Sequence, residues 1–179
     1  ASPNYPEGWE FDLSGKGGSD VCTEEGKYLS APLSLHFDAV GDMITSPETP
    51  EPLECIKFWV RPSSTDEDEE TLSLLRVEIY HSLTGKWEAI AHLPYYWMQE
   101  QGGFYTLERD ALGDDSTRVR FSFIQKGKIT FYLDDVILTY RSRGKTFKFI
   151  EDLDVEGTEY KVSDINPQNE YTYYVQAVD

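Results

Sequence analysis

Apolar and polar residues alternate with a period of two along most of this chain, and that pattern demands β-strands with one face on a core and the other in water. "ECIKFWVRP" puts Ile56, Phe58 and Val60 on one side and Lys57, Trp59 and Arg61 on the other. "LSLLRVEIYHS" separates Leu75, Val77 and Ile79 from Arg76, Glu78 and Tyr80, and "RVRFSFI" separates Val119, Phe121 and Phe123 from Arg118, Arg120 and Ser122. "GKWEAIAHL" supplies a further strand after the Leu83–Gly85 turn. Turn signals such as "SPETPEP", "LTGK", "QGG", "LGDDS" and "QKGK" punctuate the strands at short intervals. The acidic run from Asp66 to Glu70 reads as a solvated loop tip between two strands. No segment sustains a 3.6-residue period with caps. Many short strands with polar turns predict an all-β protein, a jelly-roll β-sandwich before a barrel.

Composition narrows the function classes. The 179 residues suffice for one full core domain and a smaller appendage. With 33 acids against 16 bases the net charge is −17, which argues against nucleic acid as a partner because phosphate binding relies on Lys and Arg. Acidic surfaces serve solubility or supply oxygen ligands to calcium. No apolar run approaches the roughly 18 residues of a membrane helix, so no membrane insertion is expected. "ASPNYPEGWEF" has neither the basic stretch nor the apolar run of a signal peptide. Cys22 and Cys55 fit no zinc spacing, and they would form one disulfide in an exported protein or stay thiols in a reduced one. His36, His81 and His92 are scattered and add no ligand cluster.

Several ordered motifs carry a resemblance. "GDMITSP" (Asp42 to Pro47), the "CIKFWVRPS" strand, the hairpin from Val77 to Trp87, "STRVRFSFI" and "ITFYLDDVILTY" ending Leu133 to Leu138 resemble, in order and spacing, the galactose-binding-like and MAM-like jelly rolls of secreted bacterial proteins, the cleaved-adhesin and choice-of-anchor group. "YPEGWEF" looks like that group's opening strand around Trp9. The match covers about residues 5–141 and implies a jelly roll over 1–142. Composition shifts after Tyr140, where "RSRGK" reads as a linker. Residues 143–179 are similar to the second half of a fibronectin type III domain, with Tyr171 as the tyrosine-corner residue. There is room for about one strand before it rather than three. The resemblance therefore implies a partial module that docks on the jelly roll or pairs with another molecule.

Within "FYLDDVILTY", strict alternation places Asp135 on the core face with Ile129, Phe131, Leu133 and Ile137. A carboxylate buried alone costs several kcal/mol, so it must be compensated or turned outward by a bulge. Three compensations compete: a bound Ca²⁺, hydrogen bonds from backbone N–H groups or pairing with Arg118 or Arg120, and exposure at the strand end. For calcium, Asp134 and Asp135 would be joined by Glu10, Asp12 and Asp38, on the resemblance's implication that first and last strands are neighbours. Adjacent residues on a strand point to opposite faces, which suits this pair poorly to acid–base catalysis across a substrate. With no nucleophile elbow, supported Cys–His pair or phosphate loop, the chain reads as no enzyme.

"LPYYWMQEQGGFY" gathers Tyr95, Tyr96, Trp97, Phe104 and Tyr105 around a Gly-Gly turn. Such rings stack on sugars or close the end of a sandwich as a local cluster. Trp59 and Tyr80 face away from the aliphatic positions and could line a concave sheet face, while Trp9 and Trp87 look like core. The expectation is a secreted or cell-surface, non-catalytic accessory or adhesion domain that binds a glycan or a protein partner, with a structural Ca²⁺. Its alternative is a spacer within a larger secreted enzyme.

Overall fold

Among the described residues, the alternating segments become strands where they were expected. A computed structural model describes residues 8–13, 20–65 and 72–141, and the first compact unit of the chain ends at Arg141. The fibronectin-like segment with Tyr171, and the run Asp66 to Glu70, lie outside the described residues. Among the described residues ten strands form: β1 (Glu10–Asp12), β2 (Val21–Cys22), β3 (Ser34–Phe37), β4 (Met43–Thr45), β5 (Leu53–Pro62), β6 (Leu74–His81), β7 (Lys86–Pro94), β8 (Gly103–Glu108), β9 (Ser116–Gln125) and β10 (Phe131–Tyr140). A 3-10 turn at Tyr95–Trp97 and one helical turn, α1 (Arg109–Leu112), are the helical elements among the described residues.

The strands build two five-stranded antiparallel sheets, ordered β1-β4-β9-β6-β7 and β2-β3-β10-β5-β8. This is the expected jelly-roll β-sandwich. Each sheet turns its apolar residues toward the other, since that removes both sets from water at once. Ile44, Leu75, Val77, Ile79, Val119, Phe121 and Phe123 come from one sheet, and Phe37, Ile56, Phe58, Val60, Phe131 and Leu133 from the other; all are essentially inaccessible. Phe58 meets Phe121 across the gap edge-to-face, with ring centroids 4.9 Å apart. Trp9 packs against this core as expected.

Two expectations are corrected by the topology, and one open alternative is settled. β1 pairs with β4 at the edge of its sheet and β10 lies in the other sheet, so the first and last strands are not neighbours. Trp87 is not core: it pairs with Tyr80 on the outer face of the first sheet and is half-buried. Cys22 and Cys55 are free thiols. β3 and β10 lie between their strands, which sets them about 14 Å apart at the usual inter-strand spacing, beyond the roughly 7 Å that a disulfide spans.

Like Asp42 and Asp38 beside β3, Glu78 is a buried acid, at 6% exposure on the outer face of the first sheet. Arg120 forks onto it with two 2.9 Å hydrogen bonds, Arg76 approaches to 3.2 Å, and the Ser122 hydroxyl donates at 3.2 Å. Burial pushes its carboxyl up, and the two guanidiniums outweigh that and hold it below the usual range.

Phe58→Ala and Phe121→Ala should each cost about 3–5 kcal/mol in denaturant unfolding. The double variant should show a coupling of about 0.5–1.5 kcal/mol from the edge-to-face contact. Strict additivity would mean that the two rings do not tie the sheets together.

Candidate functional site

The paired aspartates serve the fold. β10 carries a bulge between Asp134 and Ile137 in its pairing with β5, and Asp135 adopts φ 44°, the left-handed region. The extra residue resets the alternation: Ile137 is 49% exposed, while Val136 and Leu138 pack on the core. Asp135 is thus lifted off the core face and accepts a 2.7 Å hydrogen bond from the Ser30 hydroxyl. Asp134, on the outer face, accepts from the backbone N–H groups of Leu29 and Ser30 at 2.8 and 2.9 Å and from that of Asp135 at 2.9 Å. The backbone-donor reading therefore holds, but for Asp134, and neither acid meets Arg118 or Arg120, which bond Glu10 and Glu78. Together with Arg61 donating to the Gly26 carbonyl and the Lys27 ammonium over the Tyr132 ring, these bonds strap residues 23–33 across the second sheet.

The proposed calcium ligands do not converge. Glu10 and Asp12 lie on β1 at the edge of the first sheet, Asp134 and Asp135 on β10 of the second, and Asp38 follows β3 with its N–H bonded to Asp42. Among the described residues no three Asp, Glu, His or Cys side chains are placed to hold a metal ion.

The aromatic set also divides. Tyr95 is buried in the core at 4% exposure, and Tyr105 stacks inward on Phe58 with its hydroxyl donating to the Trp97 carbonyl at 2.8 Å. Burial pushes the Tyr105 phenol up. Trp59 does face outward but is 4% exposed beneath Gly102. That glycine has φ +85°, and a Cβ there would fall 2.1 Å from the indole, so only glycine fits. Tyr80 belongs to the other sheet, so Trp59 and Tyr80 share no face. Tyr96 and Trp97 remain, 59% and 63% exposed, with rings 6.2 Å apart and nearly perpendicular at 88°. Phe104, opposite Trp59 on β8, is 46% exposed and carries the Lys57 ammonium 4.3 Å from its ring centroid.

A second constellation escaped the sequence reading. His81 Nδ1 lies 2.6 Å from Asp115 and Nε2 lies 2.8 Å from Glu88. These residues line an open cavity of about 390 Å³ with Thr84, Lys86 and Trp87. Asp115 is 34 positions from His81, and only the β6–β9 register, which sets His81 opposite Ser116, brings them together. The hydrogen bond with Asp115 holds the imidazole above its ordinary 6.5; burial opposes this and Glu88 adds to it. The same bond holds Asp115 below its ordinary 3.8.

No family model matches the chain, and no curated protein matches it. Solved structures do. The K1 cleaved adhesin domain of Lys-gingipain from Porphyromonas gingivalis superposes with a TM-score of 0.57 at 13% identity, over 77% of this chain and 94% of that one. The carbohydrate-binding module TmCBM61, solved in complex with β-1,4-galactotriose, superposes with a TM-score of 0.51 at 9% identity, over 75% of this chain and 90% of that one. At these identities the likeness is one of fold.

Asp134→Ala should cost about 1–3 kcal/mol by leaving three backbone donors unpaired, and limited proteolysis should then cut first within 23–33. Unaltered cleavage there would show that the strap stands without the carboxylate. His81 adds stability that is complete below its ordinary 6.5 and lost as pH rises through the raised value. Asp115 adds stability that is complete above 3.8 and lost as pH falls through its lowered value. Thermal melts of the parent and His81→Gln should therefore differ most between these limits, and the gap should narrow by about pH 9. A gap that persists unchanged to that pH would remove the protonated imidazole as its cause.

Proposed function

We propose that this domain is a non-catalytic glycan-binding module of a secreted or cell-surface protein, with its contact surface on Tyr96 and Trp97. One observation carries the reading: two large rings stand in solvent at a right angle while everything beneath them is fixed. Large exposed rings held in place cost the folded protein apolar exposure, and such patches mark binding sites. A pyranose has an apolar C–H face that stacks on one ring while the second closes its edge.

The support comes from below. Tyr95 is buried directly before the pair and meets Tyr96 edge-to-face at 5.7 Å. The Tyr105 hydroxyl pins the Trp97 carbonyl, and Met98 is buried directly after it with its N–H donating to the Tyr95 carbonyl. Rings that need no ordering on binding lose less entropy when a ligand arrives. The net charge of −17 disfavours acidic polysaccharides and leaves neutral ones as the preferred class.

The fold shared with a module solved on β-1,4-galactotriose makes galactan the first polymer to try, beside cellulose, xylan and mannan. In affinity gels the domain should be retarded by at least one of them, and Trp97→Ala or Tyr96→Ala should weaken retention about tenfold or more, the worth of one stacked ring. Mobility that is the same on every gel, or retardation unaffected by both variants, would refute this surface.

A further inference from the structure

The cavity at the β6–β7 hairpin lies apart from the proposed contact surface in sequence and in chemistry. We infer that it is a second binding site, for a single neutral pyranose ring, whose grip depends on His81 being protonated. Trp87 supplies an apolar wall, held by Tyr80 at 5.3 Å between centroids and by the Arg120 guanidinium 4.2 Å from its own. Around it stand two acceptors, Glu88 and Asp115, and two donors, Lys86 and the Thr84 hydroxyl. An apolar wall with a few converging polar groups is the composition of a small-ligand pocket, and a volume near 390 Å³ admits one sugar ring.

Charge selects the ligand class. With His81 protonated, two cations (His81 and Lys86) balance two carboxylates (Glu88 and Asp115). The guanidiniums over Trp87 are matched by their own partners, Arg118 by Glu10 and Arg120 by Glu78, so the site offers no net charge to an acidic or amino sugar. Vicinal hydroxyls, which both donate and accept, suit carboxylates beside an ammonium.

The charged groups facing His81 are Asp115 from the segment before β9, and Glu88 and Lys86 from β7; Gly113, close to the imidazole carbon, brings none. An imidazolium donates from both nitrogens and fixes both carboxylates, whereas a neutral imidazole has one N–H and must release one of them. Glu88 is the one released, because its side chain is 65% exposed against 19% for Asp115, and its bond is the longer. The acceptor pair is thus preorganised on the acid side of the titration and half lost on the alkaline side. The raised pKa of His81 keeps the competent form populated above the ordinary value of 6.5.

The test is an amide NMR titration with methyl β-galactopyranoside, methyl β-glucopyranoside and methyl α-mannopyranoside, well above a ~1 mM dissociation constant. At about pH 6, one or more should move the amides of Thr84, Trp87 and Asp115, and affinity should fall about tenfold by about pH 9, as expected for losing a hydrogen bond to a charged group. Trp87→Ala should abolish these shifts; should that variant not fold, Thr84→Ala and Glu88→Gln carry the test, the first by weakening binding and the second by flattening its pH dependence. Trp97→Ala should leave the shifts intact while removing polysaccharide retention, so each site can fail without the other. No movement of those amides with any of the three sugars, or movement that survives Trp87→Ala, overturns the site. Equal affinity at both pH values overturns the role of the proton.

Discussion

Two ribbons of alternating side chains can hide their apolar halves only by facing each other, and every other feature of this domain is arranged around that contact. Because the inner faces meet over Phe58, Phe121, Phe123 and Phe131, each outward position is committed to water or to a covering layer. The outer faces acquire such layers. On one sheet, Arg76, Arg118 and Arg120 lie among Glu10, Glu78 and Trp87; on the other, the strap of residues 23–33 crosses Tyr132 and Asp134. Polar groups pushed outward by the core thereby become the second tier of structure.

The strands were legible in the sequence because alternation is a local property. Ile56 to Val60, Leu75 to Ile79 and Val119 to Phe123 announce their inward sides within a few residues of themselves. What alternation cannot state is which sheet a strand joins. Trp59 and Tyr80 both read as outward-facing, and both are, yet on opposite sides of the sandwich. Asp135 shows the other limit. Its inward assignment assumed an unbroken period, and the bulge that resets the period is a feature of pairing with β5, invisible in β10 alone. The demand that a buried acid find a counterpart was sound, and it is met elsewhere: by Glu78, whose partners sit on its own and the neighbouring strand, and by Asp42, which accepts from the Asp38 and Ala39 N–H groups.

The candidate sites divide along the same line. Tyr96 and Trp97 were readable because aromatic density around a Gly-Gly turn is a local signal, although the burial of Tyr95 and the inward turn of Tyr105 were not. The His81 cavity was unreadable because its members come from a hairpin and a distant loop joined only by register. The carboxylates named for calcium do not come together for a related reason: that set assumed that β1 and β10 adjoin, whereas they belong to different layers.

The positions of Cys22 and Cys55 have a wider consequence. Both thiols sit on one sheet with β3 and β10 interposed, and Cys55 is pushed toward its unreactive protonated form by burial and by the nearby Glu108. No covalent staple joins them, so the sandwich is held by non-covalent packing, hydrogen bonds and ion pairs. A reductant has nothing to cut in it, and an oxidant nothing to close.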